Sequence, residues 1–141
     1  METVHGTTVA IDGKGVLLRG PSGSGKSDLA LRLIDGGADL VADDRTILTR
    51  QGEGLMASSP QSVFGKIEIR GLGIVRLTAI DHVLLCLVVD LSSGKIERLP
   101  VSETATILDL GIPLLRIAPF EASAAAKIRL AVRAKAGDIE R

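Results

Sequence analysis

GPSGSGKS, residues 20–27, decides the fold. The stretch matches the phosphate-cradling pattern G-x-x-x-x-G-K-[ST] at every fixed position. Its glycines let backbone N–H groups converge on phosphate oxygens with no side chain in the way. Gly20, Gly23 and Gly25 supply that freedom, while Pro21, Ser22 and Ser24 fill the variable places. Lys26 offers a point charge to the β- and γ-phosphates and Ser27 a hydroxyl to Mg²⁺, and the following helix aims its positive end at the anion. The context agrees: residues 16–18 form an apolar strand before the loop. Leu29, Leu31, Leu33 and Ile34 follow it near helical spacing, until Gly36-Gly37 closes the segment.

Outward from the loop, residues 7–11 and 16–18 read as two strands joined through Asp12, Gly13, Lys14 and Gly15, a polar hairpin turn. Residues 40–42 make a short strand that ends at Asp43-Asp44, so strand, loop, helix and strand form a βαβ unit. Residues 45–49 and 55–58 flank a turn at 51–54, which makes the sheet mixed rather than purely parallel. Residues 67–69 and 74–77 bracket Gly71-Leu72-Gly73, a sharp bend or a close backbone approach. Residues 83–89 are the most apolar strand and too short to cross a bilayer as a helix. Late strands are expected at 104–108 and 113–117 around Gly111, then a helix over 121–136 that Gly137 ends. The fold expected is α/β, a P-loop domain with a mixed central sheet, the loop helix and a C-terminal helix, as a single domain over residues 1–141.

The chain has 141 residues, 45% of them hydrophobic, enough apolar material for one buried core. Lys plus Arg number 17 and so do Asp plus Glu, so the net charge supplies no pull towards nucleic acid or membrane. Aromatic residues make up 1%, with no Trp or Tyr, which removes the usual base-stacking platforms; no nucleic-acid partner is expected. The single cysteine, Cys86, reads as a small buried hydrophobe within an apolar strand. No disulfide framework can form, and no basic segment followed by an apolar stretch opens the chain. A cytoplasmic location and no membrane association are therefore expected.

Phosphoryl transfer needs carboxylates, because Mg²⁺ takes oxygen ligands and an attacking hydroxyl needs a proton acceptor. Asp43 and Asp44 stand at the carboxyl end of the strand after the loop helix, the sheet edge where ligands bind. Neighbours on an extended chain face opposite sides, so one aspartate is expected to face the phosphates. The spacing does not say which. Glu68 and Arg70, two apart in a strand, share a face, and suit a metal and a phosphate respectively; on their own they equally read as an exposed ion pair.

Taken together, Val4-His5-Gly6, the loop at 20–27, Leu40-Val41-Ala42-Asp43-Asp44 and Ile67-Glu68-Ile69-Arg70-Gly71-Leu72-Gly73-Ile74 resemble the catalytic domain of HPr kinase/phosphorylase. That family phosphorylates a serine of the phosphocarrier protein HPr. The resemblance covers nearly the whole chain and implies ATP and Mg²⁺, with HPr or a paralogue as substrate. It makes Lys26 the phosphate-binding lysine, Ser27 and Glu68 the magnesium ligands, and Asp44 the acceptor of the serine proton with Asp43 beside it. It also makes His5 an active-site histidine and Arg98 a catalytic arginine; by themselves these read as a strand-edge polar residue and a surface charge. A homo-oligomer, hexameric in the family, is implied. Two features depart from the family, which usually carries a separate N-terminal domain: the chain starts only a few residues before the His-bearing strand, so it reads as a stand-alone catalytic domain or as a piece cut from a longer protein. In addition, residues 117–123, Ile117-Ala118-Pro119-Phe120-Glu121-Ala122-Ser123, lack the basic residue that the family's loop for dephosphorylation carries. Kinase activity is thus implied more firmly than phosphorolysis.

Rival readings are a small-molecule kinase, whose loop GPSGSGKS also resembles that of guanylate kinase, and a non-catalytic nucleotide-sensing module. The first lacks an Arg-rich lid and a nucleoside-acceptor segment, and the second is at odds with intact Lys26, Asp44 and Glu68. An ABC-type ATPase is excluded by the lack of an LSGGQ-like signature.

Overall fold

The structure, a computed structural model, describes residues 1–140. Strands β1 (Glu2–Ile11) and β2 (Lys14–Arg19) form a hairpin whose last pair is Ile11 with Lys14. Its two-residue turn, Asp12-Gly13, takes φ of 51° and 76°, the left-handed pair that matches the twist of a tight hairpin. The phosphate loop then leads into α1 (Lys26–Asp35) and β3 (Asp39–Ala42). Strands β2 and β3 both run antiparallel to β1, which lies between them, so they are parallel to each other. The βαβ unit is present with one strand inserted.

The first half of β1 pairs with β4 (Arg45–Gln51), which turns back into β5 (Gly54–Ser58). Strands β6 (Lys66–Ile69) and β7 (Gly73–Arg76) form a separate two-stranded ribbon. Strand β8 (His82–Leu91) pairs with β5 at its start, then runs parallel to β2 on one side and to β10 (Leu110–Ile117) on the other. Strand β9 (Glu103–Ile107) pairs with β10 and forms the outer edge. Because β8 reaches both β5 and β2, strands β2, β1, β4, β5 and β8 close on themselves. The mixed eight-stranded sheet therefore has two apolar cores. Val9, Val16, Leu18, Leu87 and Val89 face Leu29 and Leu33 of α1 and Ile128 of α2 (Ala124–Arg133), while Leu17, Val41, Leu48, Leu55 and Val88 fill the opposite side. Each fully buried Leu or Ile contributes about 1.5–3 kcal/mol relative to exposure.

Three local expectations are corrected. The turn between the last two strands falls on Leu108-Asp109, at φ of 49° and 64°, and Gly111 lies inside β10. The final helix begins at Ala124, because residues 121–123 form a turn closed by Ala124 N donating to Glu121 O, and it ends at Arg133, where Ala134 becomes extended. Cys86 is half-buried rather than buried. Gly15 pairs with Leu85 but Val16 with Leu87, so β8 has one extra residue here, and Cys86 occupies the bulge. That irregularity moves the inward positions of β8 from one core to the other, with Leu85 in one and Leu87 in the next.

Candidate active site

Strands β2, β3, β8 and β10 are mutually parallel, so the segments that follow them leave the same edge of the sheet. They are the phosphate loop, Asp43-Asp44, Ser92-Ser93 and residues 118–121. The antiparallel β1 brings His5 to that edge from its opposite end. In an α/β sheet this is where ligands bind.

Gly25, at φ 97°, caps α1, and the first helical bond runs from Leu29 N to Gly25 O at 2.9 Å. The N–H groups of Lys26, Ser27 and Asp28 are thereby directed out of the helix end, the usual seat of a phosphate. Lys26 is almost fully buried and donates through Nζ to the carbonyl oxygens of Gly20 at 2.7 Å and Pro21 at 2.9 Å, across the mouth of the loop. Arg32, nearly two turns further along α1, donates to the carbonyl oxygens of Pro119 and of Glu121. It thus pins the 119–121 segment beside the loop, with the Phe120 ring against Gly25.

The two aspartates diverge. Asp43 Oδ1 accepts from Ser27 Oγ at 3.0 Å and from Thr7 Oγ1 at 3.1 Å, and Oδ2 accepts from the Glu68 amide at 3.0 Å. One carboxylate joins the start of α1, β1 and the β6–β7 ribbon. Asp44 has φ 65°, a left-handed backbone that costs a non-glycine residue about 1–2 kcal/mol and is held here by its neighbours. Gly6 N donates to Asp44 O at 2.8 Å, Asp44 N donates to Thr7 Oγ1 at 3.0 Å, and Arg45 N donates to Asp43 O at 2.7 Å. The turn sends the Asp44 side chain to His5, with Nε2 to Oδ1 at 2.7 Å. A carboxylate only accepts, so the imidazole donates.

Lys26, Ser27, Asp44, Glu68 and Arg70 line one cavity of about 580 Å³, with Phe120 at its rim. A larger cavity of about 880 Å³ lies on the other side of residues 20–24 and contains none of those five side chains. Its walls are held by two forked ion pairs. Arg19 bonds Asp90 at 2.7 and 3.1 Å, and Arg116 bonds Glu103 at 3.0 Å twice. The hydrogen bonds from Arg116 hold the Glu103 carboxyl below its ordinary range and push the guanidinium further up. Arg98 stands on the exposed segment between β8 and β9 and lines neither cavity.

The expected residues therefore assemble, except Arg98. Sequence reasoning missed Thr7, Arg32 and Phe120. A threonine in a strand reads as ordinary β-former, and only the register that brings β1 beside the β3–β4 turn shows that Thr7 touches both aspartates. Glu68 was expected through its side chain, but its backbone amide also bonds Asp43.

The model of the HPr Serine kinase C-terminal domain family matches residues 1–133. HPr kinase/phosphorylase of Prosthecochloris aestuarii is 40% identical over 126 residues, 80% of this chain and 37% of that protein. The enzyme of the same name from Bordetella pertussis is 38% identical over 127 residues, 82% of this chain and 41% of its own. The chain thus spans about two fifths of the length of these curated relatives. The structure of the Hpr(Ser) kinase/phosphatase from Coxiella burnetii superposes with a TM-score of 0.83 at 29% identity, over 94% of this chain and 95% of that one. A P-loop sheet with its acidic turn, its Glu68 ribbon and a family match over 133 residues lead to one assignment: the chain belongs to the HPr Serine kinase C-terminal domain family.

Proposed function

We propose that this chain is a single catalytic domain that transfers the γ-phosphate of Mg-ATP to a serine of HPr or a paralogue, in the cytoplasm and as a homo-oligomer. The observation that carries the reading is the meeting of Lys26, Ser27, Asp44, Glu68 and Arg70 around one cavity at the N-terminus of α1. The rival small-molecule kinase would call for an Arg-rich lid and a nucleoside-acceptor segment, which the sequence does not offer.

The donor set suits Mg²⁺. Ser27 Oγ and the Glu68 carboxylate are hard oxygen donors beside the anion site. Among the described residues no group of three or more His, Cys, Asp and Glu forms an all-protein cage. That matches an ion held by one or two protein oxygens together with phosphates and water. When bound, the ion would neutralise charge building on the phosphate oxygens. Asp43 fixes the Ser27 hydroxyl. Lys26, leaving the carbonyls of Gly20 and Pro21, pairs with the β- and γ-phosphates. Arg70 offers a second cation to the same cavity. Asp44 keeps Oδ1 on His5, which leaves Oδ2 to take the serine proton. Arg98 enters only if the 92–102 segment folds over the site. Phosphorolysis is a separate reaction with its own test, since residues 117–123 carry no basic side chain.

Purified protein with Mg-[γ-³²P]ATP and HPr is expected to yield an acid-stable serine phosphomonoester. Nucleotide binding with no transfer to any carrier protein would leave the sensing module as the better reading. Transfer to GMP instead would favour the small-molecule kinase. Phosphorylated HPr incubated with inorganic phosphate, assayed for pyrophosphate, tests the reverse reaction.

A further inference from the structure

We infer that Thr7 is a positioning residue for phosphoryl transfer, a role that rests on the kinase reading above. Its side chain is fully buried and lines neither cavity, so it does not touch the reactants. A hydroxyl has one proton to give and two lone pairs to receive. Here both directions are forced, because Asp43 Oδ1 can only accept and the Asp44 amide can only donate. One oxygen atom therefore sets the rotamer of Asp43 and the backbone of Asp44 together.

Each half has a consequence at the cavity. The Asp43 oxygen bonded by Thr7 is the same one that holds Ser27 Oγ, so Thr7 steadies the hydroxyl offered to the metal ion. The Asp44 amide belongs to a residue in the left-handed region, and its bond to Thr7 is one of the ties that keep the turn in that shape and its carboxylate on His5. Valine has nearly the shape of threonine but can make neither bond. A neighbouring pair of hydroxyls supplies a control: Thr8 bonds Thr46 at 2.8 Å, and Thr46 donates to Gly6 O at 3.0 Å, so neither of these bonds goes to an aspartate side chain. Both are as buried as Thr7.

The experiment compares wild type, Thr7→Val, Thr7→Ser and Thr8→Val. Three quantities are measured: kcat and KM(ATP) for transfer to HPr, the Mg²⁺ concentration that half-supports binding of a fluorescent ATP analogue, and the melting temperature. Thr7→Val is expected to lower kcat by about 10-fold, the low end of the range for direct partners of metal ligands because Thr7 reaches Ser27 only through Asp43, and to raise the Mg²⁺ midpoint, while KM(ATP) at saturating Mg²⁺ stays close to wild type. Thr7→Ser, which keeps the hydroxyl, is expected to restore both. Thr8→Val is expected to lose stability but not kcat. Wild-type kcat and Mg²⁺ midpoint in Thr7→Val would overturn the inference. So would equal impairment in Thr7→Ser, which would assign the effect to the lost methyl group. If wild type binds nucleotide but transfers to no carrier, the kinase reading fails. The Mg²⁺ midpoints of the two Thr7 variants still decide whether Thr7 positions the metal-binding hydroxyl.

Discussion

Replacing Gly25 by alanine tests the geometry of the phosphate loop without reference to any substrate. Gly25 has φ 97° and ψ 16°, a left-handed conformation that costs an L-residue about 1–2 kcal/mol. A Cβ built there meets the Phe120 ring at 3.0 Å and Pro119 Cβ at 3.4 Å. The ring is 71% exposed and swings aside at little cost, whereas Pro119 is buried and pinned by Arg32. The backbone term therefore dominates and the sum is about 2 kcal/mol, which in a domain of this size lowers the melting temperature by roughly 5–10 °C. Differential scanning fluorimetry on wild type, Gly25→Ala, Phe120→Ala and the double variant separates the two causes. Relief from Phe120→Ala in the Gly25→Ala background should stay below about 0.5 kcal/mol, since only the ring contact is removed. An unchanged melting temperature for Gly25→Ala, or full rescue by Phe120→Ala, would refute the assignment of the cost to the backbone.

Asp44→Asn keeps the turn, because asparagine tolerates the left-handed region, but cannot take a proton; transfer to HPr is expected to fall at least about 100-fold while binding of Mg-ATP stays within about twofold. Full transfer activity would remove Asp44 as base. Arg32→Ala frees the carbonyls of Pro119 and Glu121; hydrogen exchange at the Phe120 and Glu121 amides is expected to accelerate, with about 2 kcal/mol lost from stability. Unchanged exchange there would show that the segment is held by something else. At the far end of the molecule, the hydrogen bond from Arg133, followed by its charge, lowers the Asp12 carboxyl from its ordinary value of 3.8. A depressed carboxyl stabilises the fold fully above its unfolded value and loses that contribution as pH falls through the folded one. Asp12→Asn, which keeps a good hairpin turn, is therefore expected to melt slightly below wild type at pH 7, with the gap closing below about pH 4. A gap that widens in acid would contradict the pairing.

The parts of the fold that were legible in sequence are local. The phosphate loop, the helix after it and a first hairpin turn near Asp12-Gly13 each declare themselves within a few residues, because glycine at fixed offsets and apolar spacing have few structural solutions. Lys14 and Gly15, expected in that turn, already belong to β2. The β2–β8 pairing joins residues about 70 positions apart, and no local pattern announces it. The same holds for the bulge at Cys86, which exists only because β8 must face one core with Leu85 and another with Leu87. The last hairpin was misplaced because glycine is the usual left-handed residue, and here Leu108 and Asp109 take that role while Gly111 stays in the strand. In the site, Lys26 and Ser27 followed from motif chemistry and the acidic pair from its place at a strand end. The choice between Asp43 and Asp44, and the part of His5, needed family resemblance. Arg98 rested on resemblance alone, and it does not line the cavity, whereas His5 and Asp43 reach the cavity through their bonds to Asp44 and Ser27.

The division of labour between the two aspartates comes from a single backbone angle. On a continuing strand, adjacent carboxylates would point to opposite faces of the sheet, one of them into an apolar core. The left-handed turn at Asp44 ends β3 before that can happen. Asp43 stays against Ser27, half-buried, and Asp44 swings to the rim, where His5 receives it. Because the two residues share a peptide bond and both lean on Thr7, the alignment of the hydroxyl proposed for the metal and that of the proposed base cannot vary independently. A displacement of the β3 end shifts both together, so variants that disturb this turn should weaken Mg²⁺ affinity and phosphoryl transfer together. Variants in the 119–121 segment, which touches neither aspartate, should alter the cavity rim alone.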